Sequence, residues 1–73
     1  ASTWNLDLVY KEATAISEEA RALANTLNNS RYLNFWNPMI NIARDPRWGR
    51  TQEGYGEDPF LVSKIAVEYI KGL

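Results

Sequence analysis

The chain contains no cysteine and no histidine. Without cysteine, no disulfide and no thiolate metal site can staple a chain of 73 residues. Without histidine, the commonest metal ligand and the side chain that titrates nearest neutrality are both missing. Ser-His-Asp and Cys-His nucleophiles are thereby excluded, and no metal site is expected. Charge of one sign is lacking too. Eight basic residues face nine acidic ones, for a net charge of −1. No global field draws nucleic acid or an anionic membrane surface. No apolar run approaches the ~20 residues that span a bilayer. No signal-peptide pattern is legible in residues that begin with Ala rather than Met. There is no internal repeat and no low-complexity tract. Hydrophobic residues make up 45% of the chain, which is ordinary globular material. Yet this length is half a typical domain or a marginal small one.

The densest chemistry lies in residues 44–58. Seven of those fifteen positions are charged, two are aromatic and three are glycine. Arg44, Arg47 and Arg50 recur every third residue, so they would not share one face of a flat strand. Pro46, Gly49, Gly54 and Gly56 argue against a regular helix. The segment reads as an irregular loop pinned by its own ion pairs and rings. Loops of that kind on a rigid scaffold often carry binding chemistry.

The flanks are more regular. Leu6, Val9, Ala13, Ile16, Ala20, Leu23 and Leu27 alternate in steps of three and four, which predicts one amphipathic helix over 5–28. Asn5 suits its N-cap, and Trp4 is placed to pack on Val9 as a hydrophobic staple. Asp7 suits the positive end of the dipole. The run Asn28-Asn29-Ser30 ends the helix and also fits an N-glycosylation acceptor pattern. The same stripe is compatible with a short coiled coil. Residues 32–42 are rich in aromatic and branched side chains and read as a strand, with Pro38 at or just past its end. After the loop, Asp58 and Pro59 are an N-cap and a first-turn proline. A second helix follows with Leu61, Val62, Ile65, Ala66, Tyr69 and Leu73 inward, and Gly72 as its stop.

The expected order is therefore helix, strand, long loop, helix. One strand cannot satisfy its own backbone groups, and neither helix can bury its stripe against one strand. The expectation is an α/β fold piece, a repeating unit of a larger protein rather than a complete domain.

The run Asn37-Pro38-Met39-Ile40-Asn41-Ile42-Ala43-Arg44-Asp45-Pro46-Arg47-Trp48-Gly49-Arg50 resembles the glycoside hydrolases of family 3. So do Glu53-Gly54 and Gly56-Glu57-Asp58-Pro59, and Ile16 to Ala22 looks like the helix before the motif. The resemblance covers essentially the whole chain. It implies a segment of the N-terminal (β/α)8 TIM-like barrel domain of a retaining β-glycosidase, a β-xylosidase or β-glucosidase. Such an enzyme removes single sugars from the non-reducing ends of β-linked oligosaccharides or aryl β-glycosides. It implies no cofactor, and it favours a secreted or periplasmic compartment. The partner it implies is the rest of the barrel polypeptide.

By the same resemblance Arg50 lines the subsite for the terminal sugar. A guanidinium fork can grip two vicinal hydroxyls, or one hydroxyl and an orienting carboxylate. The bland alternative is that Arg50 only pairs with Glu53 or Asp58. Glu53 is the candidate carboxylate that orients Arg50. Trp48 offers either a stacking face for a sugar or a buried anchor behind the loop. Arg44, Asp45 and Arg47 read as scaffold, an Asp between two arginines being able to accept from both. Glu57 and Asp58 read as helix-start residues. Retaining glycosidases need two carboxylates about 5 Å apart. In the family resembled, the nucleophilic Asp, the acid/base and a sugar-binding Lys-His pair belong to later segments, so no catalytic residue maps onto this chain. Two readings of other classes stand beside this one. The first is a small helical interaction module using the 6–27 stripe. The second is a nucleic-acid binder using Arg44, Arg47, Arg50 and Trp48, whose patch four nearby carboxylates cancel.

Overall fold

Local signals set both helices. In the computed structural model, which describes residues 1–73, helix α1 spans Leu6–Leu27. The Asn5 side chain caps it by accepting from the Leu8 N–H at 3.1 Å, and Asp7 sits in the first turn. Trp4 adopts a positive φ of 54° and is 73% exposed, so the ring is not buried as a staple would be. At the other end Asn28 is left-handed, and the N–H groups of Asn28 and Asn29 both reach the Ala24 carbonyl. That arrangement closes the helix as a glycine commonly does. Helix α2 spans Pro59–Gly72, with Asp58 accepting from the Phe60 N–H at 3.1 Å and Pro59 in the first turn. Neither helix is long and apolar enough to cross a membrane.

Between them the chain does not form the expected strand. The structure has two α-helices, two short 3₁₀ turns at Ser30–Leu33 and Thr51–Glu53, and no β-strand. The expectation of an α/β helix-strand-loop-helix unit, and of a barrel piece built on it, is overturned by that element order. The cause is visible in the backbone. Tyr32 and Leu33 are drawn into the 3₁₀ turn that Asn29 caps by accepting from the Arg31 N–H. Residues 35–44 make one backbone hydrogen bond, from Ala43 N–H to the Gly56 carbonyl at 2.9 Å. Branched and aromatic composition suits a strand only where a neighbouring strand supplies the ladder. Here none does, and Pro38 has no N–H to offer one.

The core lies between the helices. Val9, Ala13, Ser17 and Ala24 of α1 and Val62, Ile65 and Ala66 of α2 are the only seven buried residues. Alanine and glycine make the approach close. Gly72 lies against Ala13 and the Tyr10 carbonyl, so α1 uses its small seam positions to pack on α2 of the same chain. Ser17 Oγ donates to the Leu73 carbonyl at 2.8 Å and accepts from Arg21 Nε at 3.3 Å, so this buried hydroxyl is satisfied. Much apolar surface stays open, including Trp36 at 93% exposure, Phe60, Leu27 and Ile40. The radius of gyration is 13.9 Å and the thinnest dimension is 14 Å. A self-sufficient chain of this length would have a radius of about 11 Å. The molecule is a flat two-helix layer with a long loop on it.

Candidate functional site

The loop that follows the extended segment is ordered by short-range bonds. Asp45 begins it. Its Oδ1 accepts from the Arg47 N–H at 2.9 Å and from Arg47 Nε at 3.1 Å, and its Oδ2 accepts from Arg47 Nη2 at 2.8 Å. A side chain that bonds the backbone two residues on mimics a turn, which is why Asp is favoured there. The Trp48 N–H donates to the Asp45 carbonyl, and Thr51 Oγ1 donates to the Trp48 carbonyl. A 3₁₀ turn at Thr51–Glu53 follows. Side chains three apart eclipse in such a turn. Arg50, its N-cap, and Glu53 accordingly form a bidentate pair, Nε to Oε1 at 3.0 Å and Nη2 to Oε2 at 2.8 Å. Gly56, at φ 122°, then lets the chain turn back so that its carbonyl meets Ala43.

The electrostatics follow from these forks. The Arg47 guanidinium, and next the Arg47 backbone N–H, hold the Asp45 carboxyl below its ordinary 3.8. The Arg50 guanidinium holds the Glu53 carboxyl below its ordinary 4.5. Both arginines are raised in turn by their partners. Burial raises the Tyr55 phenol, aided by Tyr69 and Glu12, and burial with Glu12 raises Tyr69. Both pairs are exposed to solvent, so they shape the loop more than they stabilise the fold.

The three arginines are not equivalent. Arg47 and Arg50 are each held by one carboxylate, and Arg44 is held by none. Asp45 accepts from Arg47 alone, not from both neighbouring arginines. Arg50 pairs with Glu53 and not with Asp58, whose side chain is the cap of α2. Each fork uses two of five N–H groups and leaves three free. The expected site residues do not share one cavity. Trp48, half-buried, lines a concavity of about 680 Å3 with Asn41, Ile42, Arg44, Asp45 and Arg47. Glu53 lines a smaller one of about 200 Å3 with Trp36, Tyr55 and Tyr69 among its walls. Arg50 lines neither. The grouping of Tyr55 with Tyr69 was not expected from the sequence. The signal would have been an inward tyrosine on α2 that needs cover from the loop.

A capped helix, an Asp-turned arginine loop and a second helix opened by Asp-Pro make up the segment. The family described as Glycosyl hydrolase family 3 N terminal domain matches residues 1–73. The chain belongs to that family. It is 52% identical over all its 73 residues to Beta-D-xylosidase 3 of Arabidopsis thaliana. It is 49% identical over the same length to Beta-xylosidase/alpha-L-arabinofuranosidase 1 of Medicago sativa subsp. varia. With Xylan 1,4-beta-xylosidase of Xylanibacter ruminicola the identity is 46% over 81 residues, covering this whole chain. The chain spans about 9% of the length of each of these relatives. No solved structure matches it significantly.

Proposed function

We propose that these residues are a segment of the N-terminal domain of a retaining β-glycosidase that releases single sugars from the non-reducing ends of β-linked glycans. β-Xylosidase is favoured over β-glucosidase, because the relatives at about half identity bear that name. The segment supplies part of a sugar-binding wall, and the remaining polypeptide supplies the nucleophile and the acid/base. The segment alone is inactive. The observation that carries the wall assignment is the Arg50–Glu53 fork. Glu53 fixes the plane of the guanidinium and leaves donors on its far edge. Such a group meets two sugar hydroxyls without reorganising, which is what a transition-state clamp requires. Trp48 adds an aromatic face on the neighbouring turn. Asp45 and Arg47 hold the loop's shape.

The test is steady-state hydrolysis of an aryl β-xyloside by the polypeptide that carries this segment. Arg50→Lys keeps the charge and loses the fork. It should lower kcat/KM by roughly ten- to a hundredfold, with kcat falling as well as binding. Arg47→Lys should act mainly on thermal stability. A silent Arg50→Lys beside a crippled Arg47→Lys would reverse the two roles and end this assignment.

A further inference from the structure

Three guanidinium groups stand within seven residues of one loop, and only Arg44 lacks a carboxylate partner or any hydrogen bond of its side chain. The concavity of about 680 Å3 that it lines also takes Arg47 and Asp45 into its wall. Two cations and one anion leave one positive charge uncompensated there. Asp45, the only carboxylate on the wall, is already spent on the fork to Arg47. Asn41 donates its amide to the Met39 sulfur at 3.4 Å, which leaves its oxygen as an acceptor beside Arg44. Trp48 supplies an apolar ring on the same wall. The volume is in the range of small-molecule sites. A neutral sugar would satisfy donors here but leave the charge standing. A carboxylate satisfies the charge and matches the planar fork.

We propose that Arg44 is a specificity residue whose free guanidinium binds the carboxylate of an acidic sugar unit, a uronate on a β-linked glycan, in this concavity. The unit's hydroxyls fall to Asn41 and its ring to Trp48. This rests on reading the loop as a sugar-binding wall and adds the charge of the sugar it selects.

The experiment is calorimetric binding of methyl β-glucuronide and methyl β-glucoside to the full polypeptide that carries the segment. The two ligands share one ring and differ in a carboxylate against a hydroxymethyl group. The glucuronide should bind about tenfold more tightly at low ionic strength, as one charge-assisted hydrogen bond provides. That advantage should shrink as salt rises. Arg44→Gln should erase it, and Arg44→Lys, which keeps the charge without the fork, should retain part of it. Equal affinities in the native protein, or an advantage that survives Arg44→Gln, would overturn the proposal. Should Arg44→Gln not fold, a preference that is insensitive to both salt and Arg44→Lys overturns it equally. Failure of the glycosidase reading is separate: it would appear as no turnover of an aryl β-xyloside, whatever the binding result.

Discussion

Replacing Gly72 by alanine probes the closest approach in the molecule. A Cβ there would lie 2.6 Å from the Ala13 Cβ, 2.7 Å from the Tyr10 carbonyl oxygen and 3.0 Å from the Thr14 nitrogen. Two of those three atoms belong to the α1 backbone, so no side-chain rotation relieves the clash. The helices must separate, and Ser17 then loses its bond to the Leu73 carbonyl or stretches it. Alanine gains at most about 1 kcal/mol of helix propensity, and less at a terminal position. Overpacking a close contact costs about 1–3 kcal/mol. The net expectation is a loss of about 1–2 kcal/mol. The assay is denaturant unfolding of the polypeptide that carries the segment, with hydrogen exchange at Val62, Ile65 and Ala66 as the local readout. Ala13→Gly removes the nearest of the three atoms. Combined with Gly72→Ala it should recover part of the loss, because residues in contact are not additive. A neutral or stabilising Gly72→Ala, with unchanged exchange at those three amides, would refute the claim that this glycine sets the helix spacing.

Three further outcomes follow from the same structure. The isolated chain, with only seven residues buried, should be molten, aggregated or oligomeric, and a sharp two-state melt of a monomer by circular dichroism and sedimentation would contradict that. Asp45 and Glu53 have depressed pKa values in the folded loop, so their contribution is full above the ordinary 3.8 and 4.5 and is lost only as pH falls through the lower folded values. Carboxyl carbon resonances of the folded polypeptide should titrate below those ordinary values, and midpoints at or above them would show the forks absent in solution. Asp58→Ala removes the cap of α2 and should cost about 1 kcal/mol in unfolding free energy, whereas Asp58→Asn should cost much less; equal costs would mean that the cap bond is not what matters.

The helices were legible because their determinants are local. The 3–4 spacing from Leu6 to Leu27 needs no partner to be read, and Asn5 and Asp58 each bond a backbone N–H within three residues. The Arg50–Glu53 fork belongs to the same class, since a single 3₁₀ turn brings the two together. Residues 32–42 were misread for the opposite reason. Tyr32, Phe35, Trp36, Ile40 and Ile42 have the side chains of a strand, but a strand exists only by pairing, and this chain holds no second one. The unequal fates of the three arginines were hidden by a subtler competition. Asp45 between Arg44 and Arg47 could in principle accept from either. The backbone N–H of Arg47 also lies within its reach, so Arg47 offers Asp45 a turn and a fork together, and all three bonds that Asp45 accepts come from Arg47.

The packing contacts were least legible of all, because they join residues far apart in sequence. Ser17 reaches Leu73 across 56 positions, and Gly72 meets Ala13. Read locally, Gly72 is a helix stop. Read in space, it is the position that lets α2 approach α1 closely enough to bury Ala13 completely. Local rules place the caps and the fork, and the small residues then decide how near the two helices can come. Asp45 and Glu53 set the shape of the arginine loop, and Ala13 and Gly72 set the spacing of the two helices.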